Sequence, residues 1–155
     1  STKKDVKCKG LMMKNLDPLM TFGEVNADSL IYATSLNQTR FLFMADGDVN
    51  TEAKLLERFD LTSDIVKLGH HGSQSASSDE FIGNLRANLA IISVGKNSYG
   101  HPHASVLARL KAFRLRYLTT RREGDITVTL LPGFAIVSSA RQPLRIVATG
   151  CQKRK

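Results

Sequence analysis

The sequence holds nothing long enough to cross a bilayer. Its longest charge-free apolar run, residues 126–140, is broken by Pro132-Gly133 and by Thr127 and Thr129. A spanning helix needs about 20 consecutive apolar residues. The opening Ser1-Thr2-Lys3-Lys4-Asp5 has no apolar segment behind it and does not read as a signal peptide. Cysteine is scarce. Cys8 and Cys151 stand near opposite ends, which excludes a disulfide framework and the paired spacing of a zinc knuckle. They read as free, structural thiols. There is no repeat and no low-complexity stretch. A Walker A sequence, a Gly-x-Gly-x-x-Gly fingerprint and a Gly-x-Ser-x-Gly elbow are all missing, so nucleotide-loop and serine-elbow chemistries have no sequence support.

What is present fits one domain, or a large part of one. The chain has 155 residues, 42% of them hydrophobic, enough for a real core. It reads as soluble, although a soluble domain does not record its neighbours. The formal net charge is +8. Basic residues cluster in 3–9, 111–122 and 152–155. Such a surface attracts phosphate polyanions through counterion release, and anionic lipid as well.

The middle of the chain alternates strand and helix signals. Residues 39–45 form a β-type apolar run that ends on Asp46-Gly47-Asp48, a turn signal. Helical spacing follows over 51–59, with Asn50 or Thr51 as the expected cap and Glu52 favourable in the first turn. A second strand, 65–68, runs into Gly69-His70-His71-Gly72-Ser73. Ser77-Ser78-Asp79-Glu80 caps a helix through Leu85. Further strands are expected at 89–94 and 116–119, with a helix over 105–113 between them. Residues 125–131 and 134–139 read as a hairpin about Pro132-Gly133, and 144–148 as one more strand. The pattern predicts a layered α/β fold, in which chemistry sits just beyond the C-terminal ends of strands. Asp46, His70, His71 and the His101–His103 loop all lie there.

Each polar loop has a plain alternative. Asp46, Asp48, Asn50 and Glu57 approach an EF-hand spacing, but Thr51 stands where that loop's sharp turn needs Gly, so a strand-to-helix turn is preferred. Adjacent His70 and His71 beside flexible glycine suit a divalent metal, or simply lie in a loop. His101 and His103 have a chelating spacing. Alternatively, Pro102 opens the next helix at its first turn.

In this order four segments resemble one family. They are Asn26-Ala27-Asp28-Ser29-Leu30; Phe41-Leu42-Phe43-Met44-Ala45-Asp46 with Glu52; Asp64-Ile65-Val66-Lys67-Leu68-Gly69-His70-His71-Gly72-Ser73; and Ile92-Ser93-Val94-Gly95-Lys96-Asn97-Ser98-Tyr99-Gly100-His101-Pro102-His103. Together they are similar to the metallo-β-lactamase-like C-terminal domain of ComEC-type DNA internalisation (competence) proteins, over residues 25–126. The resemblance implies an αββα sandwich with two divalent ions, Mn or Zn, in the complete domain. It assigns Asp46 and His70 as metal ligands, with His71 the second choice. It assigns His71, Ser73 and His101 as catalytic residues, with Asn97 facing substrate. The implied chemistry is metal-assisted hydrolysis of a DNA phosphodiester: the metals lower the pKa of a water that attacks phosphorus. Lys111, Arg114, Arg116, Arg121 and Arg122 are the expected DNA contacts. The implied partners are DNA and the rest of a membrane-embedded DNA channel, so the chain is expected to be a soluble domain of a bacterial cell-membrane protein.

Three departures from the family stand out. Its early His-x-His-x-Asp-His cluster is absent, which implies that residues 1–155 are the C-terminal part of one domain and inactive alone. Ala45 replaces the usual Gly before the Asp. Arg121 replaces an Asp common in the turn from Thr120 to Gly124. Two other readings remain: a non-catalytic DNA-binding or scaffolding domain with an incomplete metal site, and a small-molecule hydrolase of the same fold, which the basic surface disfavours. An upstream histidine cluster would separate the first of these from a catalytic domain. The expectations carried forward are that Asp46 and His70 lie close at adjacent strand ends, and that the chain alone binds metal weakly.

Overall fold

Alternation along the strands sorts the side chains into two cores. A computed structural model of the chain describes residues 5–8, 11–16, 29–141 and 144–149. Among these, β1 (Val6–Cys8), β2 (Leu11–Asn15), β3 (Tyr32–Leu36), β4 (Thr39–Phe43), β5 (Ile65–Lys67), β6 (Leu89–Ile92) and β7 (Arg116–Thr119) form one sheet in chain order. The pairs from β1 to β4 are antiparallel and those from β4 to β7 parallel. Each parallel step is bridged by a helix: α1 (Val49–Arg58), α2 (Asp79–Leu85) and α3 (Ala104–Ala112). All three helices send side chains into one core, so they cover the same face of the sheet, as crossovers of one hand advancing in one direction require.

The register lines Leu42, Val66 and Ala90 up on that face, where they pack with Leu55, Phe81, Leu85, Val106 and Leu110. Phe41, Ile65 and Leu89 point the other way, because successive strand side chains alternate. They meet a second sheet in the order β10 (Arg145–Ala148), β9 (Phe134–Ser139), β8 (Ile126–Leu131), through Ala135, Val137 and Val147. The fold is mixed α/β: helices, a long sheet, then a short sheet. β8 and β9 form the expected hairpin, Leu131 pairing with Phe134 about Pro132-Gly133, with Gly133 at φ 80°.

Several local readings change. α1 begins at Val49, not residue 51, and its cap is Asp48, neither Asn50 nor Thr51. Asp48 Oδ1 accepts from Thr51 N and Thr51 Oγ1, both at 2.9 Å. A carboxylate satisfies two donors where a hydroxyl or amide oxygen at residue 50 or 51 would lie too far into the turn. Pro102 is not in the first turn of α3. It follows a cis peptide bond from His101, and His103 is the cap. Residues 120–124, expected as a turn, contain the short helix α4 (Thr120–Glu123). Strands β1 to β3 had no counterpart among the expected elements. The thiol reading lies outside the described residues, since neither cysteine side chain is among them.

Candidate functional site

The C-terminal ends of β4, β5, β6 and β7 lie on one edge of the parallel half of the sheet, and the loops leaving them are pinned together. His70 N donates to the Ala45 carbonyl at 3.0 Å, and His103 N donates to the Gly72 carbonyl at 2.8 Å. Thr120 Oγ1 accepts from Val94 N at 2.8 Å and donates to Val94 O at 2.9 Å. Two glycines permit this packing. A Cβ at Gly69 would sit 2.5 Å from the Gly47 carbonyl oxygen, and one at Gly72 would sit 2.8 Å from Pro102 Cβ. His70, His71 and Gly72 follow one another at φ 44°, 53° and 77°, and Ala45 lies at φ 45°. For non-glycine residues this left-handed region costs about 1–2 kcal/mol each. Such strain gathers where side chains must be aimed.

The consequence is a specific partition of the histidines. His71 Nδ1 lies 2.7 Å from the Ser93 carbonyl, which can only accept, so Nδ1 carries a proton, and in the neutral ring Nε2 is the atom with the lone pair. That Nε2 faces Asp46 Oδ1 at 3.7 Å, with both side chains half exposed. The separation is beyond a hydrogen bond and close to that of two ligands on one ion at about 2.0–2.2 Å each. His70 turns instead toward His101, with ring centroids 5.8 Å apart and edge to face. Its Nδ1 is buried with no hydrogen-bond partner among the described residues. The sequence reading put His70 first and His71 second as the partner of Asp46; the side chain facing Asp46 at 3.7 Å is that of His71, while the His70 backbone is held against Ala45.

The other expected residues are distributed as follows. His101 lies in the cluster, its imidazole held below the usual range by desolvation and by His70, His71 and His103 nearby. Ser73 is buried, its hydroxyl 3.0 Å from that of Ser75. Asn97 is half-buried. Its amide donates to the carbonyls of Gly95 and His101 at 3.0 and 2.8 Å and accepts from His101 N at 3.0 Å, so it shapes the loop. Of the two readings for His103, the structure shows the helix-opening one: its Nδ1 caps α3 and lies 2.7 Å from Ser105 Oγ. Lys111, Arg114, Arg116 and Arg122 line one cavity along β7, and Arg121 is exposed beside it.

Three further residues had been given no site role by the sequence reading. Lys67 extends from β5 between Phe43 and Ile91 of the neighbouring strands. Desolvation lowers its pKa, against the pull of Asp46, and Nζ donates to the Ala45 carbonyl at 3.3 Å. A lysine closing an otherwise apolar strand was the available signal. Tyr99 is 81% exposed, with its ring centroid 6.0 Å from that of His101. Glu52 is fully buried and holds the loop before α2 by accepting from Ser77 N and Ser78 N at 2.5 and 2.9 Å; burial raises its pKa.

Asp46 and His71 fit two positions of a divalent-ion shell, and His70 has a nitrogen to spare. No set of three His, Cys, Asp or Glu side chains converges to hold an ion among the described residues. The donors fit part of a shell and do not close one. Also among the described residues, no helix is long and apolar enough to cross a membrane.

The fold and site define a mixed α/β chain with a histidine-rich, strand-end centre. Comparison with known proteins narrows its relatives. The chain is 35% identical over 103 residues to ComE operon protein 3 of Bacillus subtilis, covering 65% of the chain and 13% of that protein. It is 29% identical over 132 residues to competence protein ComA of Neisseria gonorrhoeae, covering 83% of the chain and 18% of the relative. It is 26% identical over 117 residues to recombination protein 2 of Haemophilus influenzae, covering 75% of the chain and 15% of the relative. These are competence-related proteins, and the chain spans less than a fifth of the length of each. No family model matches the chain.

Proposed function

We propose that this chain is part of a DNA-uptake protein of competence and supplies one side of a metal-dependent phosphodiesterase site. The relatives' names support the process. The observation that carries the chemistry is the Asp46–His71 pair, two acceptor atoms 3.7 Å apart with His71 fixed by the Ser93 carbonyl. On this reading the helix, sheet and sheet layers belong to an αββα sandwich of the metallo-β-lactamase type, and residues 1–155 are its C-terminal part. Asp46 and His71 would hold a divalent ion, Mn or Zn, with other donors from elsewhere in the domain. Such an ion polarises a phosphoryl oxygen and makes a nearby water more acidic.

The chain's own groups supply the rest. Ser93 O fixes the His71 tautomer, as hydrogen-bond partners of ligating histidines do. His101, whose surroundings favour the neutral ring, offers a ring nitrogen for proton transfer. Exposed Tyr99 gives a base a flat face beside it. A second reading, a DNA-binding domain without catalysis, is favoured by the small number of converging donors. The two separate on Asp46→Asn in a protein that carries this chain, assayed with Mn²⁺. The hydrolase reading predicts loss of DNA cleavage with DNA affinity retained. Cleavage unchanged by the substitution would refute it.

A further inference from the structure

β5 reads Ile65-Val66-Lys67, and its first two residues are buried in the two cores. Alternation puts Lys67 on the face of Ile65, toward the second sheet. Its register partners are Phe43 on β4 and Ile91 on β6, and Ile91 packs into the core on that face. Lys67 is half-buried. Its ammonium ends at the strand-end loops, where Nζ donates to the Ala45 carbonyl at 3.3 Å, one residue before Asp46. Among the described residues it makes no other hydrogen bond and no ion pair. The Asp46 carboxylate is near enough to act on its charge but is directed at His71 Nε2. The Ala45 carbonyl is also shared, since it accepts from His70 N at 3.0 Å.

An ammonium has three donors and no acceptor. Taking such a cation partly out of water is costly unless an anion or several acceptors replace its hydration. One long bond to a neutral, shared carbonyl does not replace it. We infer that Lys67 is a phosphate-binding residue of the strand-end site, its ammonium taking a non-bridging oxygen of a phosphodiester that reaches Asp46 and His71. This inference rests on the hydrolase reading above and adds the group that holds the substrate there. A lysine is a compact point charge with rotatable donors, which suits an oxygen that shifts as the phosphorus changes geometry. Negative charge brought up to Asp46 would otherwise be repelled by it, and a cation fixed beside apolar side chains opposes that repulsion more strongly than one in water. The competing role is to offset Asp46 alone. Such a partner would lie in ion-pair contact with the carboxylate, and His71 has that place.

The test is amide nuclear magnetic resonance of the whole chain titrated with inorganic phosphate in metal-free buffer. Shifts are expected at residues 45–47 and 67–71. Lys67→Met should weaken the binding read at those residues roughly tenfold or more, the scale of one lost charge-assisted hydrogen bond. Lys67→Arg should keep most of it. An apolar side chain in place of a half-buried charge is commonly neutral for stability, and melting curves establish that each variant is folded. With no ion present the Asp46 carboxylate opposes the phosphate, so Asp46→Asn should bind it severalfold more tightly. No gain in Asp46→Asn would put the phosphate away from Asp46 and overturn the inference. Equal affinity in Lys67→Met, or shifts confined to residues 111–122, would overturn it and leave the Asp46–His71 pair standing. Phosphate shifts that persist where Mn²⁺ does not bind near Asp46 would support the role of Lys67 and count against the hydrolase reading.

Discussion

The strand-end loops and the β7 edge are built on opposite principles. At the loops the backbone does the positioning. His70 and His71 are held at positive φ, Gly69 and Gly72 are wedged against neighbouring chain, and Asn97 spends its amide on its own loop. At the edge, long basic side chains flank apolar residues with little backbone constraint. A site that must aim two ligand atoms needs rigidity, because an error of about 1 Å costs much of the chemistry. A surface that gathers phosphate needs charge, and charge tolerates movement.

Substitutions at the two regions should therefore fail in different ways. The largest effect is expected from Gly69→Ala. Its methyl would meet the Gly47 carbonyl, so strand ends must separate. Denaturant unfolding should show a loss of about 1–3 kcal/mol, the usual scale of overpacking. A loss below the error of the measurement would mean the loops are not wedged as described. Reversing charge with Arg121→Glu and Arg122→Glu should do the converse. Stability should stay within about 0.5 kcal/mol, as for most surface changes. Affinity for DNA at low salt should fall on the order of tenfold, with a shallower salt dependence. Unchanged affinity would make these arginines only a solvated surface. The smallest effect is a gain. Ala45 occupies φ 45° where glycine is at ease, so Ala45→Gly should raise stability by about 0.5 kcal/mol, the relief of strain less the added entropy of the unfolded chain. Thermal melting checks it, and a lower melting temperature would show that the Ala45 methyl contributes packing that outweighs its strain.

The same contrast explains what was legible beforehand. The parallel half of the sheet could be read because its strands are continuous apolar runs separated by capped, periodic helices. β3 and β4 could not be paired in advance, because their turn uses Asn37-Gln38, both at positive φ, with no glycine to mark it. The loops that carry Asp46, His70, His71 and His101 stood out because polar residues followed predicted strands. Which histidine meets Asp46 did not, since two successive left-handed residues rotate the ring directions in a way no propensity encodes. Asn97 was expected to face substrate, and His103 to pair with His101 or to open the next helix. Their hydrogen bonds to nearby backbone are local competitions that spacing alone does not resolve. The basic cluster was visible in sequence, but the apolar residues beside it were not, because Val137 and Val147 arrive from the second sheet.

The Asp46–His71 pair is the centre of this account, and Mn²⁺ titration followed by nuclear magnetic resonance tests it directly. Mn²⁺ broadens resonances near its binding site. With donors for only part of a shell, the chain should bind weakly. Broadening should be strongest at residues 45–47 and 70–72 and at the His71 ring, and should fall away toward β8 to β10. It should disappear in Asp46→Asn and in His71→Ala. Broadening centred on His103, or persisting in both variants, would contradict the assignment, and tight binding of two ions per chain would contradict the incomplete shell.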